Sequence, residues 1–122
     1  MESVGSSYKA VVVGAGPAGV ACVGNFLEKA APTDLLLWVD PRFEAGRLST
    51  YKRVPSNTKV ALFSKFAKEC PSFRAEESPT LVEMEAKMDP QSTCYLEHAA
   101  NLCTELTKHL QHNPQVKRIT NV

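Results

Sequence analysis

Gly14, Gly16 and Gly19 stand at G-x-G-x-x-G spacing directly after the apolar run Ala10-Val11-Val12-Val13. An apolar run breaking into glycines in this way reads as a strand, a tight turn and the start of a helix, a corner suited to holding a pyrophosphate. Gly14 permits the turn, Gly16 lets the backbone come close to the phosphate oxygens, and Gly19 lets the helix lie against the strand. The helix N-terminus then offers unpaired N–H groups and a positive dipole end to an anion. Pro17 suits the first helical turn, where its missing donor is not needed. A second run, Leu35-Leu36-Leu37-Trp38-Val39, ends in Asp40, which lies 21 residues beyond Gly19. A carboxylate there accepts hydrogen bonds from ribose hydroxyls. The competing reading is an ordinary hydrophobic pattern with an incidental glycine turn and a solvated Asp40.

These residues need elements to position them. The first strand is expected from Lys9 to Val13, and the first helix from Pro17 to Ala30 with Val20, Val23, Leu27 and Ala30 along its buried stripe. Pro32-Thr33-Asp34 ends it and leads into a strand from Leu35 to Val39, giving a parallel pair with a right-handed crossover. From Pro41 to Thr58 no periodicity is visible. This loop carries Arg42, Arg47, Lys52 and Arg53 against one acid, Glu44, and reads equally as a cover for an anionic cofactor or as a solvated basic loop. Asn57 or Thr58 is placed to cap a helix from Lys59 to Lys68, with Val60, Phe63 and Ala67 inward. Pro71 to Pro79 reads as a polar linker and Leu81 to Met88 as a short helix. Asp89-Pro90 reads as the cap and first position of a long helix whose stripe is Tyr95, Ala99, Leu102, Leu106 and Leu110. Asn113-Pro114 stops that helix, and Val116 to Val122 alternates as a third strand.

At 122 residues and a formal net charge of +1, the chain reads as one small domain with no global field favouring nucleic acid or a membrane surface. No segment approaches the roughly 20 apolar residues of a membrane span. The first seven residues lack the apolar stretch of a secretory signal, so a cytoplasmic location is expected. Cys22, Cys70, Cys94 and Cys103 form no C-x-x-C pair and no metal-ligand spacing; they read as reduced and structural, with Cys22 and Cys103 on apolar helix faces. His98, His109 and His112 read as surface residues, and no metal site is expected. Tyr51, Lys52 and Asn57 lie in the basic loop, but no residue is singled out as a catalytic acid, base or nucleophile.

The run from Val11 to Gly19, with Pro17-Ala18 inside the glycine motif, resembles the opening of the two-dinucleotide-binding-domain flavoproteins, the FAD-dependent oxidoreductases that include pyridine-nucleotide oxidoreductases and flavin monooxygenases. The stretch Asp40-Pro41-Arg42-Phe43-Glu44-Ala45-Gly46-Arg47-Leu48 is similar to the family segment that follows the ribose-binding acid. Together the matches cover about the first 60 residues. The resemblance implies an α/β, Rossmann-like βαβ unit with a three-stranded parallel sheet, residues 1–122 forming the incomplete N-terminal part of an FAD-binding domain. It implies FAD as cofactor, gripped by Gly14, Gly16, Pro17, Ala18 and Gly19. Asp40 would hold the ribose, Arg42 would lie beside it, and Gly46 and Arg47 would lie near the flavin. It further implies NAD(P)H as the reductant of a longer protein that passes electrons to a substrate or oxygen, this chain alone being inactive. The remainder of the domain, or a partner subunit, would cover the open sheet face.

Two positions depart from the family pattern: Val23 stands where a second small residue is usual, with Gly24 one step late, and the family's Gly-Gly pair is here Ala45-Gly46. No C-x4-C follows the second strand, against a disulfide-reductase centre. Two other readings stay open: a non-catalytic dinucleotide- or ADP-binding regulatory module, and a piece of an NAD-linked dehydrogenase.

Overall fold

The computed structural model describes residues 7–120. Three strands, β1 (Ala10–Val13), β2 (Leu36–Val39) and β3 (Val116–Ile119), form a parallel sheet in the order β1-β2-β3. Ala10 pairs with Leu36 and Leu36 with Val116; Val13 pairs with Val39 and Val39 with Ile119. The strands therefore finish together at one edge. Parallel neighbours require crossover connections. Here these contain helices α1 (Pro17–Lys29), α2 (Val60–Glu69), α3 (Pro79–Lys87) and α4 (Leu96–Gln111). The chain is thus an α/β protein with a Rossmann-like βαβ start, as the glycine corner predicts.

Strand side chains alternate between faces. Leu36, Trp38 and Val116 are buried on one face and join Val20, Val23, Phe73, Leu81, Leu102, Leu106 and Leu110 in the core. On the other face Val11 is 59% exposed, Val13 79% and Ile119 40%. Parallel sheets ordinarily have both faces covered; among the described residues this one has cover on one.

Several expectations need correction. The loop after β2 is not structureless: Gly46–Thr50 makes a 3-10 turn that packs on α4. Neither Asn57 nor Thr58 caps α2; the cap position is Lys59, without a side-chain hydrogen bond. Residues 71–79 are not a free linker. Pro71–Phe73 and Ala75–Glu77 form 3-10 turns, and Phe73, Ala75 and Ser78 are buried, so scattered apolar residues rather than a periodic stripe tie the segment down. Asp89-Pro90 does not begin α4. Asp89 Oδ1 accepts from the Gln91 N–H at 2.9 Å and makes a turn of its own, and the helix starts at Leu96. Tyr95 is 50% exposed, outside the buried stripe. Cys22 is exposed on α1 while Cys103 is buried. His109 is half-buried, with Nδ1 2.7 Å from the Phe73 carbonyl, so one of the three histidines has a packing role. The third strand ends at Ile119, and Asn121 and Val122 lie outside the described residues.

Two carboxylates lock the helical layer. Glu105 on α4 accepts from Ser78 Oγ, from the Thr80 N–H and from Thr80 Oγ1, fixing the start of α3. Glu85 on α3 meets Lys68 and Ser64 of α2. The Lys68 and Ser64 hydrogen bonds hold its carboxyl below the ordinary value.

Candidate dinucleotide site

The corner between β1 and α1 sits at the edge where all three strands finish. Gly14 takes φ 107°, a conformation that L side chains rarely adopt. Its N–H donates to the Val39 carbonyl at 2.7 Å, and its carbonyl accepts from Trp38 Nε1 at 2.7 Å. Gly19 is required by proximity: a Cβ there would lie 2.0 Å from the Gly14 carbonyl oxygen. The turn and the first helical residues are thus pressed together as the sequence motif predicts.

Gly16 caps α1 with no side-chain hydrogen bond, and the first turn of α1 has no acidic residue. The early N–H groups of a helix lack internal partners, so Pro17 and Ala18, both exposed, open the helix onto the edge. What borders Gly16 is backbone: a Cβ placed on it would stand 3.8 Å from the Ala45 carbonyl and 4.0 Å from Gly46 Cα. Among the described residues, its two chain neighbours apart, no side chain is found within that reach. The loop presented against the corner is itself unusual. Phe43 and Ala45 have φ of 55° and 63°, a region costly for residues with a Cβ, and such strain concentrates at functional sites.

Asp40 holds that loop in place. Its Oδ1 accepts from the Ala15 N–H at 2.9 Å; its Oδ2 accepts from the N–H groups of Arg42 and Phe43 at 3.0 and 2.7 Å. Asp40 is only 9% exposed, which excludes the solvated reading. A carboxylate offers about four acceptor positions, and three are taken by these backbone N–H groups. Phe43 anchors the loop edge-on against Trp38, with ring centroids 5.2 Å apart.

Arg42 and Arg47 lie together beside Asp40 and Gly46 on a hollow of about 220 Å³. Among the described residues no carboxylate lies within salt-bridge distance of either arginine. The structure therefore brings Gly14, Gly16, Pro17, Ala18, Gly19, Asp40, Arg42, Gly46 and Arg47 to one edge. Tyr51, Lys52 and Asn57 are exposed on the chain beyond it. Gly24 packs elsewhere: a Cβ on it would stand 2.5 Å from the Phe73 ring, so this glycine serves contact between α1 and the 71–73 turn.

One feature escapes motif reading. Pro17, Leu48, Phe63, Phe66, Leu102 and Cys103 line an apolar hollow of about 210 Å³ next to the start of α1. Its only sequence signal is the i, i+3 pair Phe63 and Phe66, which by itself is ordinary core patterning. Burial pushes the Cys103 thiol up to about 12, so it contributes a neutral, apolar wall. Among the described residues no group of three or more His, Cys, Asp or Glu side chains is placed to hold a metal ion, and no helix is long and apolar enough to cross a membrane.

The fold and this edge define a Rossmann-like α/β unit with an open glycine corner and an acid at the end of its second strand. No family model matches the chain, and no solved structure does. Monooxygenase AgnR1 of Paecilomyces divaricatus is 40% identical over 118 residues, which cover 93% of this chain and 30% of the relative. The chain is therefore similar to part of an oxidoreductase, and spans about 30% of the length of the curated relative it matches.

Proposed function

We propose that this chain is the FAD-binding N-terminal portion of a flavin-dependent oxidoreductase. The observation that carries the reading is the start of α1, which among the described residues has no side-chain cap, is bordered at Gly16 by the Ala45-Gly46 backbone, and lies at the sheet edge beside Asp40. An anion is stabilised at such a terminus by unpaired N–H groups and by the helix dipole. The similarity to a monooxygenase supports redox chemistry over a purely regulatory role.

The residues present fit the group. Gly16, Ala18 and Gly19 would hold the pyrophosphate through their N–H groups, the remaining acceptor position of Asp40 would take one ribose hydroxyl, and Arg42 and Arg47 would offset negative charge. When bound, FAD would supply redox chemistry between NAD(P)H and a substrate or oxygen in a longer protein. The chain's own contribution is binding, orientation and a fixed electrostatic setting. The exposed face carrying Val11, Val13 and Ile119 would be covered by the remainder of the domain or by a partner subunit, because an apolar sheet face of this kind is seldom left wet.

The test is flavin absorbance that survives gel filtration, followed by titration of the Gly16→Val variant. FAD bound by the parent and lost by the variant supports the proposal. A colourless protein stabilised by ADP or NAD, but not by FAD, would favour the regulatory-module or dehydrogenase reading. Affinity retained within about threefold in Gly16→Val, a difference under ~1 kcal/mol, would remove the site assignment.

A further inference from the structure

Beyond the dinucleotide corner, a cleft of about 470 Å³ opens between the loop after β2 and the outer face of α4. Its walls carry Arg42 and Lys52 from the loop and Lys108 from α4, together with Thr104, Glu44 and Glu105. The volume falls in the range of small-molecule sites, about 300–1,000 Å³, and is far larger than the share of a water, about 30 Å³. Three cations face two carboxylates. Among the described residues no carboxylate comes within salt-bridge distance of Arg42, Lys52 or Lys108, although Glu44 and Glu105 line the same cleft. Glu105 already accepts three hydrogen bonds, from Ser78 Oγ, the Thr80 N–H and Thr80 Oγ1, which direct its oxygens to the start of α3. Surface cations that are not paired with each other's nearest acids, and that converge from two separate elements, leave a locally positive hollow.

We propose that this cleft is a second binding site, separate from the dinucleotide corner, for a small organic anion carrying at least two negative charges. Arg42 supplies a planar fork that matches phosphate or carboxylate, Lys52 and Lys108 supply point charges from opposite walls, and the Thr104 hydroxyl supplies a neutral donor. Arg42 is shared with the hollow beside Asp40, so an anion held here would lie next to the ribose end of the first site. The proposal does not require that FAD be the occupant of that first site.

The experiment titrates inorganic pyrophosphate, and in a parallel arm citrate, into the full chain at low salt, followed by calorimetry and amide chemical shifts. Saturable binding at this cleft is expected, read from shifts centred on residues near Thr104 and Lys108 that weaken as salt rises and kept apart from any shifts at the glycine corner. Lys108→Met and Lys52→Met, both exposed positions, should each raise Kd about tenfold, the loss of one charge-assisted contact, while their melting curves match the parent. Gly16→Val should leave this Kd unchanged, which separates failure here from failure of the dinucleotide reading. Tighter binding of pyrophosphate identifies a phosphorylated ligand, and tighter binding of citrate a polycarboxylate. Absence of saturable binding, or binding indifferent to both lysine variants, would overturn the proposal; so would binding abolished by Gly16→Val alone.

Discussion

Gly19→Ala should damage the fold at the corner on which the proposed binding site is built. The new methyl would stand 2.0 Å from the Gly14 carbonyl oxygen and 2.8 Å from its carbon. Reaching ordinary contact at 3.4 Å requires a separation of about 1.4 Å (3.4 minus 2.0) between backbone segments that cannot rotate away. Overpacking of this kind costs about 1–3 kcal/mol. The same carbonyl accepts the Trp38 indole N–H, and moving it leaves a buried donor unsatisfied at a further cost of about 1–3 kcal/mol. Alanine's better helix propensity offsets about 1 kcal/mol. The net loss is about 1–5 kcal/mol, centred near 3, which for a domain of this size lowers Tm by about 10 °C. Thermal unfolding followed by circular dichroism measures it, with Gly16→Ala as control. A Cβ at Gly16 meets nothing closer than 3.8 Å, so the control should lose no more than about 1 kcal/mol while weakening dinucleotide binding. A Gly19→Ala protein melting at or above the parent temperature would refute the packing argument.

Asp40→Ala leaves the N–H groups of Ala15, Arg42 and Phe43 without their charged acceptor; urea unfolding should show a loss of about 2–4 kcal/mol, and dinucleotide affinity should fall by a further 1–3 kcal/mol, roughly one lost charged hydrogen bond. An Asp40→Ala protein as stable as the parent would contradict the role given to the carboxylate. Burial raises the Cys103 thiol from 9.0 to about 12 in the folded state, so between those values the unfolded thiol ionises first. Stability should therefore fall with rising pH, by up to about 1.4 kcal/mol per unit. Cys70 and Cys94 are shifted in the same direction, chiefly by burial, so Cys103→Ala should flatten the alkaline slope without abolishing it; an unchanged slope would count against the burial. Gly24→Ala should cost about 1–2 kcal/mol by denaturant unfolding, because its methyl would meet the Phe73 ring at 2.5 Å while gaining helix propensity. A stabilised Gly24→Ala variant would show that Phe73 yields freely.

The first βαβ unit was legible because its signals are local. The apolar run, the glycine spacing and the stripe of Val20 and Val23 each report on residues a turn apart, and the boundaries of β1, α1 and β2 depart from expectation by a single residue at the ends that differ. The acid at the end of β2 was legible as a position, but not its occupation. Its partners are backbone amides of Ala15, Arg42 and Phe43, which leave no trace in side-chain types. The 71–79 segment misled for the opposite reason: polar composition suggested a linker, whereas Phe73 docks on α1 and α4 and Ala75 is buried in the turn that packs on α3, neither with any periodicity. Asp89-Pro90 offered valid cap chemistry, yet a tight turn used it first, and the helix began six residues later than Pro90. The charged cleft was invisible in sequence because Lys108 meets Arg42 and Lys52 only through the packing of α4.

The central claim is that the bare start of α1 grips the phosphates of a dinucleotide. Amide chemical shifts recorded while FAD is added to the chain test it directly. The largest changes should fall on Gly16, Ala18, Gly19 and the facing Ala45-Gly46, and should vanish in Gly16→Val. Changes confined to other surfaces, or none at saturating FAD, would contradict it.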